Sequence, residues 1–167
     1  MADFKYGHMY KSDLAEELGI NNMPGVDISI NPALTADYIN ANLNKLYINI
    51  ISPIINAFGI NNIYISSAYR CRALNKALGG SPTSQHVYGL AVDIACSSHS
   101  SRDLFNWCLS NLENSWNQLI WEYPEKGDYF QGANSFSWLH ASWADGWNKE
   151  KKTVASKLEH IHERYKS

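Results

Sequence analysis

The chain has 167 residues, 45% of them hydrophobic, which suits one compact domain with a sizeable core and is too short for two. Fourteen Lys and Arg against sixteen Asp and Glu leave a net charge of -2, which argues against the broad basic field that nucleic acid or an anionic membrane would require. The longest apolar run, "LYINIISPIINAFGI", is broken by Asn49, Ser52, Pro53 and Asn56 and falls short of the roughly 20 apolar residues of a membrane span.

The opening "MADFKYGHMYKSDLAEELG" carries acidic residues early and has no apolar stretch before a small-residue cleavage site. It does not read as a secretory signal, so a soluble protein made in the cytoplasm is expected. Ser12 can cap a short helix through "DLAEELG", with Gly19 placed to end it, and "INNMPGVDISINPAL" reads as loop. From 34 to 58 the apolar residues recur mostly every three or four positions, which predicts one long amphipathic helix closed by Gly59 and kinked or divided at Pro53. Residues 11–59 thus form a helical N-terminal part.

"NIYISSAYR" predicts a strand over 63–67 that runs out into a loop at 68–70, and "CRALNKALGG" a short helix with a double-glycine stop. "YGLAVDIA", residues 88–95, alternates and suits a buried strand, and "SSRDLFNWCLSNL" has a serine cap and helical spacing. "NQLIWEY" and "FSWLHASW" read as two strands of an antiparallel ribbon joined by a loop with Pro124, Gly127 and Gly132. In the tail, "KKTVAS" suits an edge strand while "SKLEHIHERY" prefers helix. Helices and strands are largely segregated along the chain, so the fold class is α+β with a small, mostly antiparallel sheet flanked by helices.

Cys71, Cys96 and Cys108 are odd in number and share no CxxC spacing, so they read as reduced, partly buried thiols. Of the six histidines, only His86 and His140 stand in apolar surroundings at or beside strands. Zinc accepts imidazole nitrogen and carboxylate oxygen, and a catalytic zinc keeps three protein ligands and an open position. On a strand over 88–95, Asp93 shares a face with Ala91 and Ala95, which leaves room for an ion. His140 shares a face with Phe136, Trp138 and Ser142, and can meet Asp93 only if the two strands are neighbours. Taken singly, His86 is an ordinary loop histidine bonded to backbone and Asp93 a buried carboxylate bonded to a turn. A buried carboxylate needs compensation, however, and both zinc and Arg70 are candidates for it.

The string "SSAYRCRALNKALGGSPTSQHVYGLAVDI", followed by "QLIWE" and "WLHAS", resembles the zinc D-alanyl-D-alanine carboxypeptidases and related peptidoglycan endopeptidases with the Hedgehog/DD-peptidase fold. It is most similar to compact bacterial and phage members, over about residues 30–145. The resemblance implies a peptidase-like domain with one zinc ion, held by His86 of "SQH", Asp93 of "VDI" and His140 of the "WxHxS" strand. It also implies that Arg70, in the "SxYR" turn, holds a substrate carboxylate, a task suited to a planar guanidinium. Ser84 and Gln85 are expected to hydrogen-bond the peptide or to serve the turn.

Many members of that family carry the catalytic acid three residues before the second histidine, where this chain has Ser137. In the subgroup it most resembles, the acid ends the preceding strand, as in "LIxE", and Glu122 stands there; Glu125 and Asp128 are weaker candidates. The expected substrate is a peptidoglycan stem peptide, cut either as by a D-Ala-D-Ala carboxypeptidase or as by an endolysin-type endopeptidase. A phage-type lysis or virion route would carry such an enzyme to the cell wall. The expected working form is a monomer without nucleic-acid or membrane partners. The competing reading is a non-catalytic zinc-binding or structural module of the same fold, which Ser137 favours. The loop "PEKGDYFQGANSF" is long enough to cover a cleft, and Trp121, Trp138, Trp143 and Trp147 either line that cleft or pack against the sheet.

Overall fold

A computed structural model describes residues 6–112, 115–124, 126–129, 136–143 and 151–155. Ser12 Oγ accepts the Ala15 N–H at 3.2 Å and starts helix α1, Asp13–Glu17, and Gly19 with φ 64 follows its end. Thr35 Oγ1 accepts the Tyr38 N–H at 3.1 Å and starts α2, Ala36–Leu46. The expected long helix is divided. A π-helical turn, Tyr47–Ile51, leads into α3, Ser52–Phe58. Pro53 has no N–H to continue the ladder, and just before it the Ser52 N–H reaches five residues back to the Tyr47 carbonyl. Gly59 takes φ 85 and turns the chain out of α3.

Along this helical unit Leu34, Ile39, Leu43, Leu46, Ile50, Ile51 and Ile54 are fully buried. Each contributes on the order of 1.5–3 kcal/mol by leaving water. They join one core cluster with the apolar side of a five-stranded sheet.

The strands are β1, Ile63–Ser67; β2, Ala91–Cys96; β3, Gln118–Glu122; β4, Trp138–Ser142; and β5, Lys151–Ala155. Their order is β1-β2-β4-β3-β5. All pairings are antiparallel except β3 with β5, so the chain has the expected α+β class with a mostly antiparallel sheet. The tail's edge-strand alternative holds for 151–155; its proposed helix lies outside the described residues. β2 starts at Ala91 rather than at residue 88. Gln85–Tyr88 form a 3-10 turn, and Gly89 at φ 70 ends that turn before the chain can extend.

Helix α4, Arg72–Ala77, is the predicted short helix, with Cys71 at its cap. Helix α5, Ser101–Asn111, opens with a reciprocal cap in which Ser100 Oγ accepts the Asp103 N–H and the Asp103 carboxylate accepts the Ser100 N–H. Alternation along the strands puts Val92, Ile94, Leu119, Leu139 and Ala141 on one side, all buried, with α5 packed against β2, β3 and β4. The three cysteines are free and buried. The other side of the sheet carries Asp93, His140, Trp138 and Glu122, and it floors a cleft. No described helix is long and apolar enough to cross a membrane.

Candidate metal centre

Strands β2 and β4 are neighbours, and their register sets Asp93 directly opposite His140. His140 Nδ1 lies 2.9 Å from Asp93 Oδ1. His86 enters from the 3-10 turn above them, with Nε2 at 3.3 Å from both His140 Nδ1 and Asp93 Oδ1. These three residues are the group among the described residues whose ligand atoms converge closely enough to hold a metal ion.

The donor set fits zinc. Bonds of about 2.0–2.2 Å in a tetrahedron imply ligand–ligand edges of roughly 3.3–3.6 Å, and the edges here span 2.9–3.3 Å. His86 Nδ1 lies 2.5 Å from the Ala68 carbonyl, which can only accept, so the proton is on Nδ1 and the Nε2 lone pair faces the other two ligands. Burial pushes the His86 imidazole below its ordinary pKa, which keeps it neutral as a ligand must be. Burial works against the charged form of Asp93 as well, yet its carboxyl is held well below the usual range, with His140 Nδ1 donating to Oδ1.

The turn that carries His86 is fixed from several sides. Its carbonyl accepts the Arg70 N–H at 3.2 Å, and Asn42 on α2 donates to the Tyr88 carbonyl at 2.9 Å. A Cβ at Gly89 would lie 3.0 Å from the Ile39 carbonyl oxygen and 3.2 Å from Leu43 Cγ, so α2 packs where only glycine fits. The long N-terminal helix therefore positions a ligand, a role its apolar spacing did not announce.

Asp93 pairs with Arg70 and still keeps an oxygen for a metal. Oδ1 faces the imidazoles, while Oδ2 accepts Arg70 Nη2 at 2.6 Å. Arg70 Nε donates to Ser67 Oγ at 2.7 Å, which completes a chain from Ser67 through Arg70 and Asp93 to the centre. Those bonds occupy one edge of the guanidinium. Its Nη1 hydrogens and the second Nη2 hydrogen remain on the end-on edge, and Arg70 lines the cleft.

The cleft holds about 880 Å³ and is lined by all three converging residues together with Arg70, Ser84, Gln85 and Glu122. Those seven residues expected at the site from the sequence are therefore brought to one cavity. Glu122 ends β3 opposite Trp138, and Ile120 pairs with His140. The Glu122 backbone thus stands one strand over and two residues along from His140, roughly 8 Å, and its side chain lines the same cleft. Tyr123 takes φ 51 immediately after it, so the strand breaks there and Tyr123 turns onto the cleft wall beside Trp138, ring centroids 4.9 Å apart. Gln85 Nε2 donates to Asn117 Oδ1 at 2.7 Å; Asn117 lies 32 residues away and had no sequence signal as its partner.

Ser137 is 1% exposed, and its carbonyl accepts Ser101 Oγ at 2.8 Å, so that position serves the fold. Asp128 Oδ1 accepts the Ser101 N–H at 2.7 Å at the start of α5, which places its carboxylate in a structural contact. Glu125 and Trp147 lie outside the described residues, as do residues 130–135 of the long loop. Trp138 lines the cleft, whereas Trp143 is buried and Trp121 packs near Phe105 in the core.

No curated protein matches the chain significantly. A family model described as Peptidase M15 matches residues 3–116, which include His86, Asp93 and Arg70 and stop short of Glu122 and His140. The match covers more than half of the sequence, and the structure brings His140 to the ligands inside it: the chain belongs to the Peptidase M15 family.

Proposed function

We propose that this protein is a zinc metallopeptidase that hydrolyses peptide bonds of peptidoglycan stem peptides. The observation that supports this most is the convergence of His86 Nε2, Asp93 Oδ1 and His140 Nδ1 at the floor of a cleft large enough for a peptide. Zinc held there would polarise a peptide carbonyl and lower the pKa of a water to about 7.

The chain's own groups supply the rest. Ala68 holds the His86 proton on Nδ1, so the ring keeps its lone pair on the centre. Arg70 turns Asp93 so that Oδ1 points inward, and its end-on edge receives a substrate carboxylate. Glu122 takes a proton from the attacking water on its carboxylate and returns it to the leaving amine nitrogen. The Ser84 hydroxyl and the Gln85 amide, both on the cleft wall, bond the peptide backbone.

The test compares the zinc-loaded parent with Glu122→Ala and His86→Ala on purified peptidoglycan. Both variants should lose hydrolysis. Variants as active as the parent would overturn the proposal. An inactive parent with zinc bound would favour the non-catalytic module instead.

A further inference from the structure

The metal cleft does not end at the sheet. A second hollow of about 450 Å³ lies along β1, and Ser12, Asp13 and Ser66 border both spaces. Its floor is apolar, made of Ile55, Ile60, Ile63 and Ile65. β1 is the edge strand of the sheet on that side, so the hollow runs along a strand edge and shares a border with the metal cleft.

The peptide groups of that edge are ordered for pairing. The Ser97 N–H donates to the Asn62 carbonyl at 2.8 Å, and the antiparallel alternation that follows makes Tyr64 and Ala95 the next bonded pair. The N–H and C=O of Ile65 then point away from β2. Among the described residues no strand lies there, and no backbone bond reaches Ile65 from that side. After Ile65 a bulge sets Ser67 opposite Asp93, so a chain following the edge is carried to the level of the metal ligands.

We infer that this edge binds the distal part of an extended peptide substrate as an added strand, and that the enzyme therefore cuts internal bonds. The inference rests on the peptidase reading of the metal centre. A strand added beside Ile65 would gain two backbone hydrogen bonds, and its alternate side chains would face the isoleucine floor and the cleft. Small apolar side chains fit that floor. Cleft residues also occur on both sides of the ligand pair along the strands, with Gln118 toward one end and Trp138 and Glu122 toward the other. The cleft thus extends to both sides of the ligand pair, as cutting an internal bond requires.

The experiment uses the full, zinc-loaded chain and a set of synthetic stem-type peptides lengthened by one to four residues at either end. Product masses identify the bond, and kcat/KM is measured for each length. Extension on one side should raise kcat/KM about ten-fold or more, and N-methylation of the single amide that pairs with Ile65 should remove about ten-fold. Ile65→Pro should lose the same extension effect; because that variant can fail to fold, the methylation scan on the parent stands as the independent arm. Peptide affinity for the metal-free parent, followed by fluorescence, separates the groove from the chemistry. Hydrolysis that is indifferent to extension and methylation, or that releases only the C-terminal residue, would overturn the inference while leaving the peptidase intact. Extension-dependent binding without hydrolysis of any peptide would instead overturn the peptidase reading and support the groove.

Discussion

Asp93 and His140 sit opposite each other on adjacent antiparallel strands, with Oδ1 and Nδ1 2.9 Å apart, so the pairing register itself brings together two of the three candidate metal ligands. Asp93→Asn keeps the shape but removes the anionic ligand. It should abolish stoichiometric zinc, read by metal analysis after dialysis. Arg70→Lys keeps the charge near Asp93 Oδ2 but loses the planar fork, and should weaken zinc by roughly 10–100-fold without abolishing it. Equal zinc affinity in all three proteins would contradict this assignment.

Glu122→Gln separates metal binding from proton transfer. The variant should bind zinc as the parent does and lose about 10²–10⁴-fold in kcat, the usual contribution of a positioned acid–base group. A variant that hydrolyses at the parental rate would move the role to another group.

Gly89 links the N-terminal helix to the site. Alanine there must hold φ near +70 and place its Cβ against the Ile39 carbonyl. Gly89→Ala should cost about 1–2 kcal/mol in stability, seen as a lower melting temperature, and it should weaken zinc by shifting the turn that carries His86. An unchanged melt would show that α2 yields at this contact.

The metal-free protein should lose stability in acid in two steps. His86 has its folded pKa lowered by burial, so below the unfolded value of about 6.5 the unfolded chain takes up a proton that the folded one refuses. Asp93, which accepts from His140 Nδ1, is held well below the carboxylate range, and its contribution is present above about 3.9 and lost as pH falls below that. Urea titrations from pH 8 to about 2.5 should show the first decline starting near pH 6.5 and the second below about pH 3.9. Zinc should oppose it, and His86→Ala should remove it; stability that holds flat across that window would contradict the assignment.

The reciprocal cap of α5 is a control away from the centre. Ser100→Ala should cost about 1 kcal/mol and leave zinc affinity unchanged.

The caps were legible because they are local: Ser12, Ser100 and Gly59 act on neighbours within a few residues. The ligand candidates were legible as residue types on strands, and the family resemblance joined them. What remained hidden depends on long-range pairing. Nothing in "VDI" fixes β4 rather than β3 beside β2, and that order alone decides whether Asp93 meets His140. The start of β2 was misplaced because "YGL" is apolar enough to extend, while Gly89 in the left-handed region ends a turn instead. Asp128 was a candidate base by residue type, yet its partner is the first peptide of α5, 27 residues back. Residue type offers Asp93 either a metal or Arg70, and only the folded chain shows its two carboxylate oxygens facing different groups.

The most direct test of the proposed function is mass analysis of muropeptides after incubation with the zinc-loaded protein. The expected result is a pair of new fragments whose masses sum to a stem peptide plus one water, absent with chelator and with Glu122→Gln. Unchanged muropeptides in the presence of protein carrying stoichiometric zinc would contradict it.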